Sequence, residues 1–286
     1  MVGSHDILIP QDTAWLHDPG AQRVCRALTE GGALAYFVGG CVRNALMGEP
    51  DSDIDIATDA LPQDVISFAE AAGLQAIPTG IDHGTVTVVA ESVGYEVTTF
   101  RKDVETDGRR AVVAFSKDIK DDARRRDFTM NAIYATSDGA LIDPIGGLPD
   151  LLARRVVFIE DAEARIREDY LRILRFFRFS AYFSDVEQGF DPDTLDAIAR
   201  TAEGVDGLSA ERITAELIKL LSAPDPTHSV AAMSHTHVLP RVLPGSDDRF
   251  LGPVVHLEHE LKVSPSWHLR LVALGGTEVA SRLRLT

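Results

Sequence analysis

Basic charge is scarce in this chain. Its 286 residues hold 28 Lys or Arg against 44 Asp or Glu, a formal net charge of -16 at pH 7 and a pI near 4.9. Such an average disfavours nucleic-acid or anionic-membrane partners, which require a basic surface. Cysteine is almost missing. Cys25 and Cys41 make neither a disulfide framework nor a Cys-x-x-Cys metal pair, and read as small apolar residues in a reducing compartment. No apolar run approaches the ~20 residues of a membrane span. The start, MVGSHDILIP, lacks the basic-then-apolar pattern of a secretory signal. These absences predict a soluble, cytoplasmic protein without a membrane partner. Apolar material is ample, at 45% of residues and a mean hydropathy of -0.01, and excludes a disordered chain. The length suggests about two domains.

The first half alternates strand-like and helix-like segments. A helix is expected at 19–31, ended by Gly31-Gly32, then a strand at 33–38, Gly39-Gly40 and a short helix at 41–47. Residues 53–58 (DIDIAT) alternate polar and apolar as a half-buried strand does, and Pro62 opens a helix to about 72. The β-branched runs 84–90 and 94–100 form a hairpin pattern. Residues 101–111, charged and containing Gly108, read as a mobile loop before a strand at 112–115, a polar helix and two more short strands. From 161 the period turns helical. Helices are expected at 161–183, 191–202, 209–222, 226–235, 250–262 and 267–283. The fold class is therefore α+β, with a head at 1–160 and an all-α region at 161–286.

Three constellations could carry chemistry. Gly39 and Gly40 precede a helix and then Asp53-x-Asp55 on a strand. Residues i and i+2 of a strand share a face, and two carboxylates there repel unless a cation lies between them. Paired Mg²⁺ ions meet that need and suit in-line nucleotidyl transfer. The glycines allow backbone to approach phosphate at a helix N-terminus, and Arg43 lies one turn on. Glu96, in mid-strand, is the candidate third carboxylate. Its alternative is a solvated strand face, as an ordinary turn and acidic strand end are for the glycines and aspartates. In RRDFTMNA (125–132), Arg125 and Arg126 suit triphosphate or ribose, Asp127 could fix one of them, and Asn131 could bond a sugar or phosphate. A helix end with a local ion pair is the plainer reading. In EDYLR (168–172), Asp169 and Arg172 at i and i+3 share a helix face, unless Glu168 and Arg172 simply form an i, i+4 pair. An acceptor beside a donor matches the amino group and ring nitrogen of cytosine and adenine, and mismatches uracil and guanine. His235, His237, His256 and His259 have no nearby Cys and no obvious third ligand, and read as surface or core histidines rather than zinc ligands.

In this order, GGCVRNALMGEPDSDIDIAT (39–58), YEVTTFRKDVETDGRR (95–110), RRDFTMNAIY (125–134), DPIGGLPDL (143–151), EDYLRILRFFRFSAYF (168–183) and LSAERI (208–213) resemble the class II tRNA nucleotidyltransferase / poly(A) polymerase family, the CCA-adding enzymes. The resemblance implies a polymerase-β-like nucleotidyltransferase head followed by helical neck and body. It implies Asp53 and Asp55 as metal ligands, Asp169 and Arg172 as a protein template for the base, and Arg125, Arg126 and Asp127 as ribose and triphosphate contacts. It also implies that 101–111 is the flexible loop linked to the switch from CTP to ATP. The expected activity is Mg²⁺-dependent addition of CCA to tRNA 3′ ends from CTP and ATP. Its alternatives are poly(A) polymerase, a non-catalytic RNA-binding module, or nucleotide transfer to a small molecule. Asn44 stands where the family usually has Asp, and Glu49 where a basic residue is common. The chain ends at Thr286 inside the expected body, so the tail that holds the tRNA elbow is expected to be missing or unrecognisable. The one His-Asp dipeptide, His5-Asp6, gives no support for an appended phosphohydrolase. By region the charge is uneven: residues 101–178 hold 16 of the 28 basic side chains, which predicts phosphate contacts concentrated there.

Overall fold

The computed structural model describes residues 8–50, 52–107 and 110–285; His5, Asp6 and Gly108 lie outside them. The chain divides into two compact units, Met1–Ala153 and Arg154–Thr286, with the division falling before the expected boundary at 160.

The first unit is a mixed sheet with helices. Helix α1 (Pro19–Glu30) begins where Asp18 accepts the Ala21 N–H at 2.8 Å, and Pro19 fills the first position, where no N–H is needed. It buries Ala21, Val24, Cys25 and Leu28, one helical stripe. Then follow β1 (Ala35–Val38), α2 (Gly40–Met47), β2 (Asp55–Thr58), α3 (Pro62–Ala71), β3 (Gln75–Gly80), β4 (Thr85–Ala90) and β5 (Val93–Thr99). After these come β6 (Arg101–Asp107), β7 (Arg110–Phe115), α4 (Ile119–Arg124), β8 (Tyr134–Ala135), β9 (Leu141–Ile142) and α5 (Leu148–Leu152). Seven strands form one sheet in the order β3-β4-β5-β2-β1-β8-β9, with β2 and β5 parallel and the other neighbours antiparallel. Phe37, Ile56 and Val97 on the three central strands are fully buried.

Three expectations change in this unit. Strand β3 was not foreseen, because Pro78 and Gly80 argue against a strand; it lies at the sheet edge, where an absent N–H donor costs least. The expected loop at 101–111 is instead most of a two-stranded ribbon, β6 with β7. The ribbon pairs apart from the seven-stranded sheet. Asp53 precedes β2 rather than lying on it, so strand alternation alone does not set its direction.

The second unit is helical: α6 (Ala162–Glu168), α7 (Leu171–Phe183), α8 (Pro192–Thr201), α9 (Ala210–Leu221), α10 (Thr227–His235), α11 (Leu239–Val242), α12 (Leu251–Leu261), α13 (Trp267–Leu274) and α14 (Val279–Arg282). Ile173, Phe177, Ile198, Leu221, Val230 and Met233 anchor its core. Within it Arg270, fully buried, meets Glu258 at 2.7 Å and donates to the carbonyls of Leu221 (2.9 Å) and Pro224 (3.0 Å), which satisfies the buried guanidinium. The helix expected at 267–283 breaks at Gly275-Gly276, both at positive φ. The one expected at 161–183 breaks at Asp169, which is extended (φ -154°, ψ 105°). The Asp169 carboxylate accepts the Leu171 N–H at 3.1 Å and caps α7, the local competition with helix typical of aspartate. The Tyr170 ring leaves no room at Gly204, where a β-carbon would stand 2.0 Å from it.

Among the described residues, no helix is long and apolar enough to cross a membrane.

Candidate active site

The site grows from the register of three strands. Val38, the last residue of β1, pairs with Asp55 on β2, and Asp55 pairs with Glu96 on β5. The chain leaves β1 through Gly39 (φ 77°, ψ -127°), a conformation that only glycine holds without strain, and enters α2 at Gly40. A β-carbon at Gly39 would lie 3.8 Å from Asp55 Oδ2 and 3.6 Å from Arg126 Nη1, so bare backbone faces both groups. A β-carbon at Gly40 would come within 2.5 Å of Ser52 Oγ. The first N–H groups of α2 are thus presented beside the carboxylates, where an anion is attracted.

Residues 52–55 and 93–96 line a cavity of about 590 Å³ that includes Asp53, Asp55 and Glu96. Asp53 and Glu96 are exposed and Asp55 is half-buried. Burial pushes the Asp55 carboxyl up to about 6; Glu96 adds repulsion, Arg126 pulls it back, and Asp53 repels it further. Hard carboxylate oxygens under mutual repulsion fit Mg²⁺. Among the described residues no three His, Cys, Asp or Glu side chains gather closely enough to cage a metal unaided. Mg²⁺ usually takes one or two carboxylates and completes its shell with water and substrate phosphate.

Both arginines of RRDFTMNA are held by one buried residue that the sequence reading missed. Asp122, fully buried on α4, accepts from Arg125 Nε at 2.7 Å and from Arg126 Nη2 at 3.1 Å. Tyr134 OH donates to Asp122 at 2.7 Å and accepts from Arg126 Nε at 3.2 Å. Burial would raise the Asp122 carboxyl, but the two guanidiniums and the tyrosine outweigh it and hold it below the ordinary range. The i, i+3 and i, i+4 spacing from Asp122 to Arg125 and Arg126 was the available signal.

Asn131 and Asp127 are buried beneath Arg43. Arg43 Nη1 donates to Asn131 Oδ1 at 2.6 Å, and Asn131 Nδ2 donates to Asp127 Oδ1 at 2.9 Å. Asp127 also accepts its neighbour's Phe128 N–H at 2.9 Å. Asn131 here orients an arginine through side-chain bonds. Asn44 accepts from Arg43 Nη2 at 2.8 Å and donates to the Pro50 carbonyl at 2.7 Å, so its amide serves both directions.

In the helical unit Asp169 and Arg172 do not share one helix face, because the break separates them. Arg212 on α9 meets Asp169 Oδ2 at 2.7 Å. Arg172 Nη1 reaches the Arg165 carbonyl at 2.7 Å and Glu168 Oε2 at 2.5 Å, and Glu168 also pairs with Arg165. The i, i+4 pair of Glu168 with Arg172 therefore exists alongside any other use of Arg172. Arg212 belongs to the string LSAERI, but nothing in its spacing names Asp169 as its partner.

Two family models match the chain. One, described as "Poly A polymerase head domain", covers residues 35–157, and another, described as "Probable RNA and SrmB- binding site of polymerase A", covers 189–250. The chain is 42% identical over 207 residues to "CCA tRNA nucleotidyltransferase 1, mitochondrial" of Homo sapiens, covering 72% of this chain and 48% of that protein. It is 40% identical over 229 residues to the CCA-adding enzyme of Leuconostoc citreum, covering 79% and 54% respectively. The crystal structure of the Bacillus stearothermophilus CCA-adding enzyme in complex with CTP aligns with a TM-score of 0.70 and 38% identity, covering 83% of this chain and 56% of that one. The chain spans about half the length of the curated relatives it matches. A glycine turn facing the Asp55 carboxylate, on a head matched by sequence and by fold, gives one conclusion: the chain belongs to the class II tRNA nucleotidyltransferase / poly(A) polymerase family.

Proposed function

We propose that the chain adds C, C and A to the 3′ end of tRNA from CTP and ATP, by Mg²⁺-dependent transfer without a nucleic-acid template. The observation that carries this is Asp55. Its carboxyl is pushed up to about 6 beside Glu96 and Asp53, opposite Arg126 and against the bare backbone of Gly39. The names of the relatives and the CTP held by the Bacillus enzyme support the same reading.

In this reading the tRNA 3′-hydroxyl attacks the α-phosphorus of the nucleotide, and pyrophosphate leaves. Mg²⁺, when bound by Asp53 and Asp55, supplies the Lewis acidity that activates the hydroxyl and offsets triphosphate charge. Glu96 adds the third carboxylate of that face. Gly39 and Gly40 let backbone N–H groups approach phosphate. Arg125 and Arg126, fixed by Asp122 and Tyr134, contact triphosphate or ribose, and Arg43 is braced toward the same task by Asn131 and Asp127. Asp169 offers the acceptor and Arg172 the donor that select cytosine and adenine over uracil and guanine. A cytoplasmic location rests on the buried, unpaired thiols Cys25 and Cys41, which burial pushes up to about 12 and about 11; the human relative is named as mitochondrial, and cell fractionation distinguishes the two.

The test is incubation with Mg²⁺, labelled CTP or ATP, and tRNA lacking its 3′ CCA. Two C followed by one A is the expected product. Long A tracts without C would assign poly(A) synthesis, and no incorporation would overturn both.

A further inference from the structure

We infer that Asn44 is a positioning residue that aims two parts of the site at once, Arg43 toward triphosphate and Asp53 toward the metal. The inference deepens the proposed nucleotidyl transfer and rests on it.

Asp53 has no strand to aim it. It is exposed, precedes β2, and follows a connection that leaves α2 at Gly48. That connection is tied to α2 itself, at two points one helical turn apart. At the first, the Asn44 carbonyl accepts the N–H of Gly48, which is left-handed (φ 69°, ψ 25°), and the N–H of Glu49 at 2.9 Å, closing the helix. The Asn44 side chain then donates through Nδ2 to the Pro50 carbonyl at 2.7 Å. At the second, Ser52 lies against Gly40, where a β-carbon would come 2.5 Å from Ser52 Oγ. With Pro50 beside residue 44 and Ser52 beside residue 40, the chain returns along α2 toward its N-terminus and arrives at Asp53.

The other end of the same amide holds Arg43. Asn44 Oδ1 accepts from Arg43 Nε at 3.1 Å and from Nη2 at 2.8 Å, while Asn131 Oδ1 accepts from Nη1 at 2.6 Å. Successive residues of a helix do not ordinarily face each other, so the Arg43 side chain turns aside to reach this oxygen. The amide has one possible orientation, because a guanidinium only donates and a peptide carbonyl only accepts. Asparagine is a poor helix former, and α2 gives up local stability to place one there.

Aspartate, the residue the family usually has at this position, would also accept from Arg43. It has no N–H for the Pro50 carbonyl. Bracing the arginine and tying down the approach to Asp53 are therefore separable by a single group.

The experiment reads binding without turnover: CTP by calorimetry, and Mn²⁺ at saturating CTP by electron paramagnetic resonance, with thermal melts to verify folding. Asn44→Ala should raise both Kd values by about tenfold, as when a charged donor loses its acceptor and a metal ligand loses its support. Asn44→Asp should leave the CTP Kd nearly unchanged, since a carboxylate accepts from a guanidinium, yet still raise the Mn²⁺ Kd about tenfold. It also carries the test should Asn44→Ala not fold. Unchanged Kd values in folded Asn44→Ala, or wild-type Mn²⁺ affinity in Asn44→Asp, would overturn the inference. A wild type that binds CTP and Mn²⁺ but transfers no nucleotide to tRNA would defeat only the proposed reaction.

Discussion

Asp55 is placed against its own stability. Its carboxyl is raised from 3.8 to about 6, so the folded chain holds that proton more tightly than the unfolded chain does. The stability this confers is complete below the unfolded value and is lost as pH rises from about 4 to about 6, up to about 3 kcal/mol. Asp55→Asn should therefore raise the Tm of the metal-free protein at pH 7.5 and leave it nearly unchanged at pH 4, while abolishing nucleotidyl transfer. Thermal melts at the two pH values check it. A similar contrast concerns Asp169 and Arg172, the pair proposed to select the base. Arg172→Ala should relax CTP-over-UTP preference by about five- to a hundredfold, the range of one good bidentate base contact. Arg212→Ala should relax it in the same direction, since it leaves Asp169 without its ion-pair partner on α9. Competition assays with both nucleotides measure the ratio.

Elements differ in how openly the sequence declared them. Helix α1 was legible because Asp18, Pro19 and Gly31 mark its ends in local chemistry. The Gly39 turn was legible for the same reason, being a backbone demand at one position. Strands β3 and β6 were not, because pairing partners, rather than local preference, made them strands, whereas most of β7 was expected as the strand 112–115. Asp122 and Arg212 escaped notice because an acidic or basic residue does not announce which opposite charge the fold will bring near. The break between α6 and α7 was hidden by apolar spacing that runs through it; only the capping habit of Asp169 hinted at it. At that break Tyr170 packs against Gly204. Gly204→Ala should displace the ring and destabilise the helical unit by about 1–3 kcal/mol, measured by urea denaturation.

Across the whole molecule, the concentration of basic residues at 101–178 is less exposed than its count suggests. Arg125 and Arg126 share Asp122, Arg165 and Arg172 share Glu168, and Arg167 pairs with Glu163. With a net charge of -16, RNA binding should be only weakly salt-dependent. A log Kd against log[KCl] slope of about 2 is expected, equivalent to roughly three released counterions on a single strand. A slope near 7 would contradict this. The break at Asp169 has one more effect. Asp169 is tied to α9 through Arg212, whereas Arg172 is tied to the end of α6 through Glu168 and the Arg165 carbonyl. The spacing between the two is thus set by several helices instead of a single rigid turn, and contacts between elements open locally at a lower free-energy cost than global unfolding. Misincorporation of UMP should climb with temperature while the chain is still folded, so that accuracy fails at a lower temperature than structure does.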